Sequence, residues 1–360
     1  MNFSGLRIGF VPFSRSVQHP FDSRNFLYYA NKRDVKFEIV EPGREYDIIL
    51  LTPPADLTVW SRYAESKAKI IYMSVDSYLS VPRFDIKGAL RGLAKYVSRE
   101  HKYLRMNYSG AIKDMCRRAD AVVCTTLEQK RDILEYCKNV HIVLDCHFKA
   151  VRDVKTDYSI GTPVNLVWEG LPDNMPGLAQ LNDVLAQLRK KHPISLHIIT
   201  DLEHKKYMNK IWTKSTVQEA RSLFGDVHHL FNTDSPVCLY QWNIGMFSRI
   251  VTNCDLAVIP LDPQSPLALG KPENKLVLFW RMGMPTIVTA SPAYVRAMEK
   301  CGLDLYCRDR ADWQEKLERL IVDYAARKTA GTLGKQCADS VYGEEVYLEQ
   351  WDRLFQSVLH

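Results

Sequence analysis

Residues 254–298 read CDLAVIPLDPQSPLALGKPENKLVLFWRMGMPTIVTASPAYVRAM. CDLAVIPL is a short run that is apolar on both faces, and PTIVTA is a second. NKLVLFWRM, between them, has helical spacing. A strand, a helix and a second strand in that order form the crossover unit of a parallel sheet. Strands of such a sheet are covered by helices on both sides, which is why neither run alternates with polar residues.

The same rhythm runs through the chain. LRIGFVPF, KFEIV, YDIILL, AKIIYM, DAVVCTT and VHIVL read as strands in the first half. PVNLVWEG, SLHIIT, VHHLF, CDLAVIPL, PTIVTA and LDLYC read as strands in the second. FDSRNFLYYANK, DLTVWSRYAESK, TLEQKRDILEYCK and GLAQLNDVLAQLRKK, lying between them, have helical spacing. Beyond Tyr306 only helices follow, the last with Val346, Leu348, Trp351, Leu354, Phe355 and Val358 on one face. The rhythm pauses at the polar stretch 147–162.

The fold class is therefore α/β, with two Rossmann-like doubly wound parallel-sheet domains. The expected boundaries are 1–150 and 151–342, with a C-terminal helix, 343–360, packing back toward the N-terminal domain. Doubly wound sheets bind ligands outside the carboxyl ends of their strands. Two such domains are expected to face an interdomain cleft.

Composition narrows the function. The 360 residues carry a formal net charge of +6. That is a mild excess, suited to acidic small molecules or an anionic surface, and no zinc-finger spacing or basic arm points to nucleic acid. Nine cysteines are scattered without a CxxC pair, which reads as buried free thiols in a reducing compartment. Neither a secretory core nor a spanning segment precedes the apolar run Ile8–Phe13. The expected location is cytoplasmic, with a peripheral site on the inner face of a membrane as an extension.

CDLAVIPLD with GKPENKLVLFWRMGMPTIVTASPAY, ADAVVCTTLEQKRDI and VWEG together resemble GT-B glycosyltransferases, particularly retaining enzymes that build bacterial surface polysaccharides. The resemblance implies a nucleotide-diphosphate sugar as donor substrate, bound by the C-terminal domain without a metal or other cofactor. It implies a glycan or lipid-linked acceptor on the N-terminal domain. Many such enzymes carry two glutamates eight residues apart, where this chain has Gly270 and Leu278. A sugar-nucleotide epimerase, or a silent subunit that binds nucleotide sugar or scaffolds a partner, shares the architecture and stays open.

The residues themselves support a phosphate site. Pro272 suits the first position of a helix, which places Lys271 near the cap and Glu273, Asn274 and Lys275 in the first turn. Free N–H groups there attract a diphosphate, and Asn274 and Lys275 add donors. A first-turn lysine opposes the helix dipole unless an anion compensates it. The competing reading is a solvated helix start with Glu273 answering the dipole. Glu273 is the nearest carboxylate to replace the missing pair.

Gly170, after VNLVWE, lets a phosphate or sugar approach, or is a plain loop glycine. Thr200 and Asp201 end another strand and stand where donor contacts are expected; Asp201 alternatively caps a helix. In the first half His19, Arg24 and Asn25 follow the first strand as acceptor contacts, with Asp22 or Ser23 as a helix cap. Asp76, beyond MSV, is the candidate to orient or deprotonate an acceptor hydroxyl, or else stabilises a turn. Arg83, Lys87, Arg91, Lys95 and Arg99 recur every four residues on one helix face. Such a stripe suits an anionic membrane surface or is a solvated basic face.

Overall fold

The structure is a computed structural model. It describes residues 3–359 except 15–16, 18, 66, 81–85, 207–211, 226, 228–235, 263–264 and 266, with backbone only at 86–89, 204–206, 212–214 and 269. The chain divides into two compact units. The first comprises Met1–Cys146, Gly270–Pro272 and Glu344–His360, and the second His147–Leu269 and Glu273–Gly343.

The first unit is built on β1 (Ile8–Val11), β2 (Glu38–Ile39), β3 (Ile48–Leu51), β4 (Lys69–Met73), β5 (Ala121–Cys124) and β6 (Val140–Ile142). All neighbours are parallel in the order β2-β1-β3-β4-β5-β6. Ile48–Leu51 and Ala121–Cys124 are buried throughout, as continuous apolar runs in a covered sheet must be. The C-terminal helix Glu344–Leu359 belongs to this unit. Its Trp351 and Phe355 stack on Tyr29 and meet Phe26. Burying one such phenylalanine contributes about 1.5–3 kcal/mol. Asp352 adds hydrogen bonds from Tyr29 and Arg33.

The second unit holds β7 (Val164–Glu169), β8 (Ile194–Thr200), β9 (Glu203–Lys206), β10 (Trp212–Ser215), β11 (Val237–Gln241), β12 (Leu256–Ile259), β13 (Thr286–Thr289) and β14 (Tyr306–Cys307). Six form a parallel sheet in the order β11-β8-β7-β12-β13-β14, and β9 and β10 form a separate antiparallel hairpin. Trp168, Phe247, Trp280 and Met298 lie at the centre of its core. Strand order reverses between β7 and β12 here and between β1 and β3 in the first unit, and these are the switch points where doubly wound sheets open a crevice.

Two sequence expectations change. The sixth strand of the second sheet is VCLYQ rather than VHHLF. Val227 is not in a strand, and 228–231 lie outside the described residues. The thiols are not all free, because Cys301 and Cys337 form a disulfide. Cys301 caps the end of the Pro292–Lys300 helix and Cys337 lies in the Tyr324–Ser340 helix, with their Cα atoms 5.7 Å apart although 36 residues separate them. The other seven cysteines form no disulfide and are buried. Among the described residues no helix is long and apolar enough to cross a membrane.

Candidate functional site

In the second unit the helix following the opening stretch spans Asn274–Arg281, two residues later than its proline suggests. Glu273 is its N-cap, with no side-chain hydrogen bond to the first turn, and Asn274 and Lys275 are its first two residues. The leading N–H groups of such a helix are left to water or a ligand. Asn274 Oδ1 is buried without a hydrogen-bond partner among the described residues. The Glu273 carboxylate accepts from the Tyr342 hydroxyl at 3.4 Å. Burial raises the Tyr342 phenol above its ordinary value, and the Glu273 charge adds to it.

Lys275 is already compensated. Its Nζ donates to the Glu169 carbonyl, lies 3.4 Å from the Glu169 carboxylate and stands over the Trp168 ring. The anion that a first-turn lysine requires is thus supplied by the end of β7. Gly170 is explained by the same cluster. A Cβ there would come within 2.6 Å of the Trp168 ring and 2.9 Å of Lys275 Nζ.

Thr200 ends β8 beside this strand. It is 1% exposed, and its Oγ1 has no partner among the described residues. Asp201 caps no helix. Its carboxylate accepts from Gln241 Nε2 at 3.1 Å and its carbonyl from Thr216 Oγ1 at 2.6 Å, and the chain runs on into the β9-β10 hairpin. Gln241 and Trp242, at the end of β11, were missed by sequence reasoning because the strand leading to them was not identified. Leu278 is buried in the core, so a carboxylate at this position would be buried with it.

The first unit contains Lys271, half-buried in Gly270–Pro272. Gly270 is held there by Ser77 Oγ, which donates to its carbonyl at 3.3 Å, and Gln129 Nε2 donates to Ser77 Oγ at 3.1 Å. Any Cβ at 270 would fall onto the Ser77 hydroxyl, so glutamate does not fit this backbone.

After β1, the cap of the Pro20–Ser23 helix is His19, not Asp22 or Ser23: its Nδ1 accepts from Phe21 N at 3.1 Å. Asp22 is fully buried and accepts from the Phe13 and Ser14 amides. Burial outweighs these bonds and raises its carboxyl above the ordinary value. Asn25 is 2% exposed, and its amide donates to the Phe21 carbonyl and Asp145 Oδ1. The Arg24 carbonyl accepts from Cys146 N at 2.8 Å, and its charge acts on Asp145.

Asp76 lies beyond β4, exposed, hydrogen-bonded to the Tyr78 phenol. Burial, then the Asp76 charge, pushes that phenol up to about 12, and the Arg91 guanidinium sits 4.7 Å above its ring.

The basic stripe changes character. Arg83 lies outside the described residues, and so does the side chain of Lys87. The helix spans Ile86–Val97, and Arg99 stands past its end with φ 59°. Arg91 covers Tyr78 and Tyr108, while Lys95 pairs with Glu100 at 3.0 Å. Its outward residues include Leu90 and Val97, 60% and 63% exposed.

No family model matches the chain, and no curated protein matches it. Solved structures do. S. aureus TarM, in complex with fondaparinux, alpha-GlcNAc-glycerol and UDP, is 13% identical with a TM-score of 0.56, over 86% of this chain and 55% of that one. Sucrose-phosphate synthase from Thermosynechococcus elongatus is 14% identical with a TM-score of 0.58, over 87% and 74%. The fold is GT-B. A third match, a putative UDP-N-acetylglucosamine 2-epimerase from Listeria monocytogenes, is 10% identical with a TM-score of 0.50, over 94% of this chain and 95% of that one. The chain therefore spans about half the length of TarM and nearly the full length of the epimerase-like protein.

Proposed function

We propose that this protein is a glycosyltransferase. It moves a sugar from a nucleotide-diphosphate-sugar donor to a hydroxyl of a glycan or lipid-linked acceptor, in bacterial cell-surface polysaccharide biosynthesis. The observation that carries the reading is the uncapped start of the Asn274–Arg281 helix, whose N–H groups suit a diphosphate, while the buried Asn274 Oδ1, without a partner among the described residues, suits a donor such as a sugar hydroxyl. UDP in the TarM complex supports a nucleotide donor on this fold.

In this reading the second unit holds the donor. The bond from the anomeric carbon to the diphosphate breaks, and its electron pair leaves with the diphosphate. Helix N–H groups, Lys275 and Lys271 stabilise that developing charge. Glu273, held by Tyr342, and Thr200, Asp201 and Gly170 line the donor. The first unit holds the acceptor through Arg24 and His19. The acceptor oxygen bonds to the anomeric carbon, and its proton passes to Asp76.

The full-length match to the epimerase-like protein, with Gly270 and Leu278 in place of glutamates, favours one second reading: a sugar-nucleotide epimerase. A panel of nucleotide sugars separates the two. A transferase releases nucleoside diphosphate slowly alone and faster with acceptor. Conversion of one nucleotide sugar into another without release would establish the epimerase, and binding without turnover a silent subunit.

The exposed face at Leu90, Leu93 and Val97 extends the proposal to a peripheral position on anionic lipid, with Arg91 and Arg99 exposed nearby. Co-sedimentation with anionic liposomes is expected to fall when Leu90 and Val97 become serine. Sedimentation indifferent to both changes of lipid charge and these substitutions would leave a soluble acceptor.

A further inference from the structure

We propose that the first unit carries a second ligand site, a cavity for a small phosphomonoester at the edge of its sheet. β6 is the edge strand, and beside it a cavity of about 350 Å³ is lined by Lys130, Lys138, Arg353 and His141, with the amides of Asn139 and Gln350. Among the described residues no carboxylate lines it. Lys130 comes from the Leu127–Ile133 helix and Arg353 from the C-terminal helix, so three separate segments converge their cations on one concavity.

These charges are poorly answered by the protein itself. Among the described residues the Lys138 ammonium reaches only the Leu134 carbonyl, at 3.5 Å. Arg353 has Glu349 at 3.8 Å, an exposed pair of the kind that contributes little. His141 is anchored by Asn139 Oδ1 at 2.8 Å and Ser357 Oγ at 2.9 Å. Burial, followed by the charges of Lys130 and Arg353, lowers its pKa, so both cations bear on the ring. A solvated basic face keeps such charges apart; here they surround a hollow, and an anion inside it relieves their repulsion.

Size and chemistry define the ligand. Small-molecule sites begin at about 300 Å³, roughly ten times the share of one water. The concavity therefore has room for a phosphate with an organic body attached. A guanidinium fork and two ammonium groups match phosphate oxygens, and the Gln350 amide suits a hydroxyl, while the Asn139 amide is held by Asp120, Ser357 and His141. The lining runs along the edge strand, from Lys138 and Asn139 at the amino end of β6 to Ile142 at its carboxyl end, and shares no residue with the positions already described. The proposal therefore does not rest on their reading.

The test uses the full chain with ribose 5-phosphate, inorganic phosphate and ribose as probes, followed by calorimetry and by the ring resonances of His141. Ribose 5-phosphate is expected to move the His141 signal saturably and to bind at least about tenfold more tightly than inorganic phosphate. Ribose is expected not to bind. Lys130→Gln with Lys138→Gln and Arg353→Gln should weaken binding by about tenfold or more. Lys130→Arg with Lys138→Arg should retain it. The proposal is overturned by an unmoved His141 signal, by equal affinity for inorganic phosphate, by undiminished binding in the glutamine variant, or by equal loss in the arginine variant.

Discussion

Two clusters of buried polar groups at strand carboxyl ends, one in each unit, behave differently. After β1, Asp22 binds two amides, His19 caps its helix, and Asn25 is shared between Phe21 and Asp145. This segment satisfies itself. In the second unit Thr200 Oγ1 and Asn274 Oδ1 are buried without partners among the described residues, and the helix start beside Glu273 has no side-chain cap. An unsatisfied buried polar group costs about 1–3 kcal/mol. A chain that completes one cluster and leaves the other incomplete marks the second as the place where a ligand supplies the missing partners. Lys275 adds a qualification, since Glu169 neutralises it before any ligand arrives. Its charge then serves a diphosphate only by turning away from that carboxylate.

The comparison can be broken from either side. The largest effect is expected in the self-contained cluster. Asn25→Leu removes two hydrogen bonds and leaves Asp145 without its amide, which should lower stability by about 2–3 kcal/mol in urea unfolding. Nucleotide affinity should be unchanged; unaltered stability would mean that this segment is not self-satisfied. Next in size, Asn274→Ala should weaken nucleoside diphosphate binding by about tenfold, or 1.4 kcal/mol, in calorimetry. Stability of the free protein should not fall, because the lost oxygen had no partner. Smallest is Thr200→Val, which exchanges an unpartnered hydroxyl for a methyl group of similar shape. A gain of about 0.5–1 kcal/mol in the free protein is expected from thermal unfolding. A loss would show that the hydroxyl already has a partner.

Much of the scaffold was legible in the sequence because a covered parallel strand must be apolar on both faces, and eleven of the twelve quoted strand runs are strands of the two sheets. VCLYQ escaped because it is short, begins directly after Pro236 and ends in the polar Gln241. The site was legible only as a set of positions. Asn274 and Lys275 do open a helix, but Glu169, the partner that changes the meaning of Lys275, is 106 residues away in sequence. Asn25 looked like a contact for a ligand because spacing cannot reveal that its amide faces Asp145. The stripe from Arg83 to Arg99 assumed one uninterrupted helix, whereas Arg99 lies past its end and Arg91 stacks on tyrosine. Tertiary packing decided these cases, as it decided the Cys301–Cys337 pairing.

The most direct test of the central claim compares UDP with uridine by calorimetry, in the unaltered protein and in Lys275→Ala. UDP is expected to bind more tightly than uridine, because the diphosphate occupies the start of the Asn274–Arg281 helix. Lys275→Ala should remove about 1.5–3 kcal/mol of that preference while leaving uridine affinity in place. Equal affinities for UDP and uridine, or a preference for UDP that Lys275→Ala leaves intact, would contradict the assignment of this helix start to the donor diphosphate.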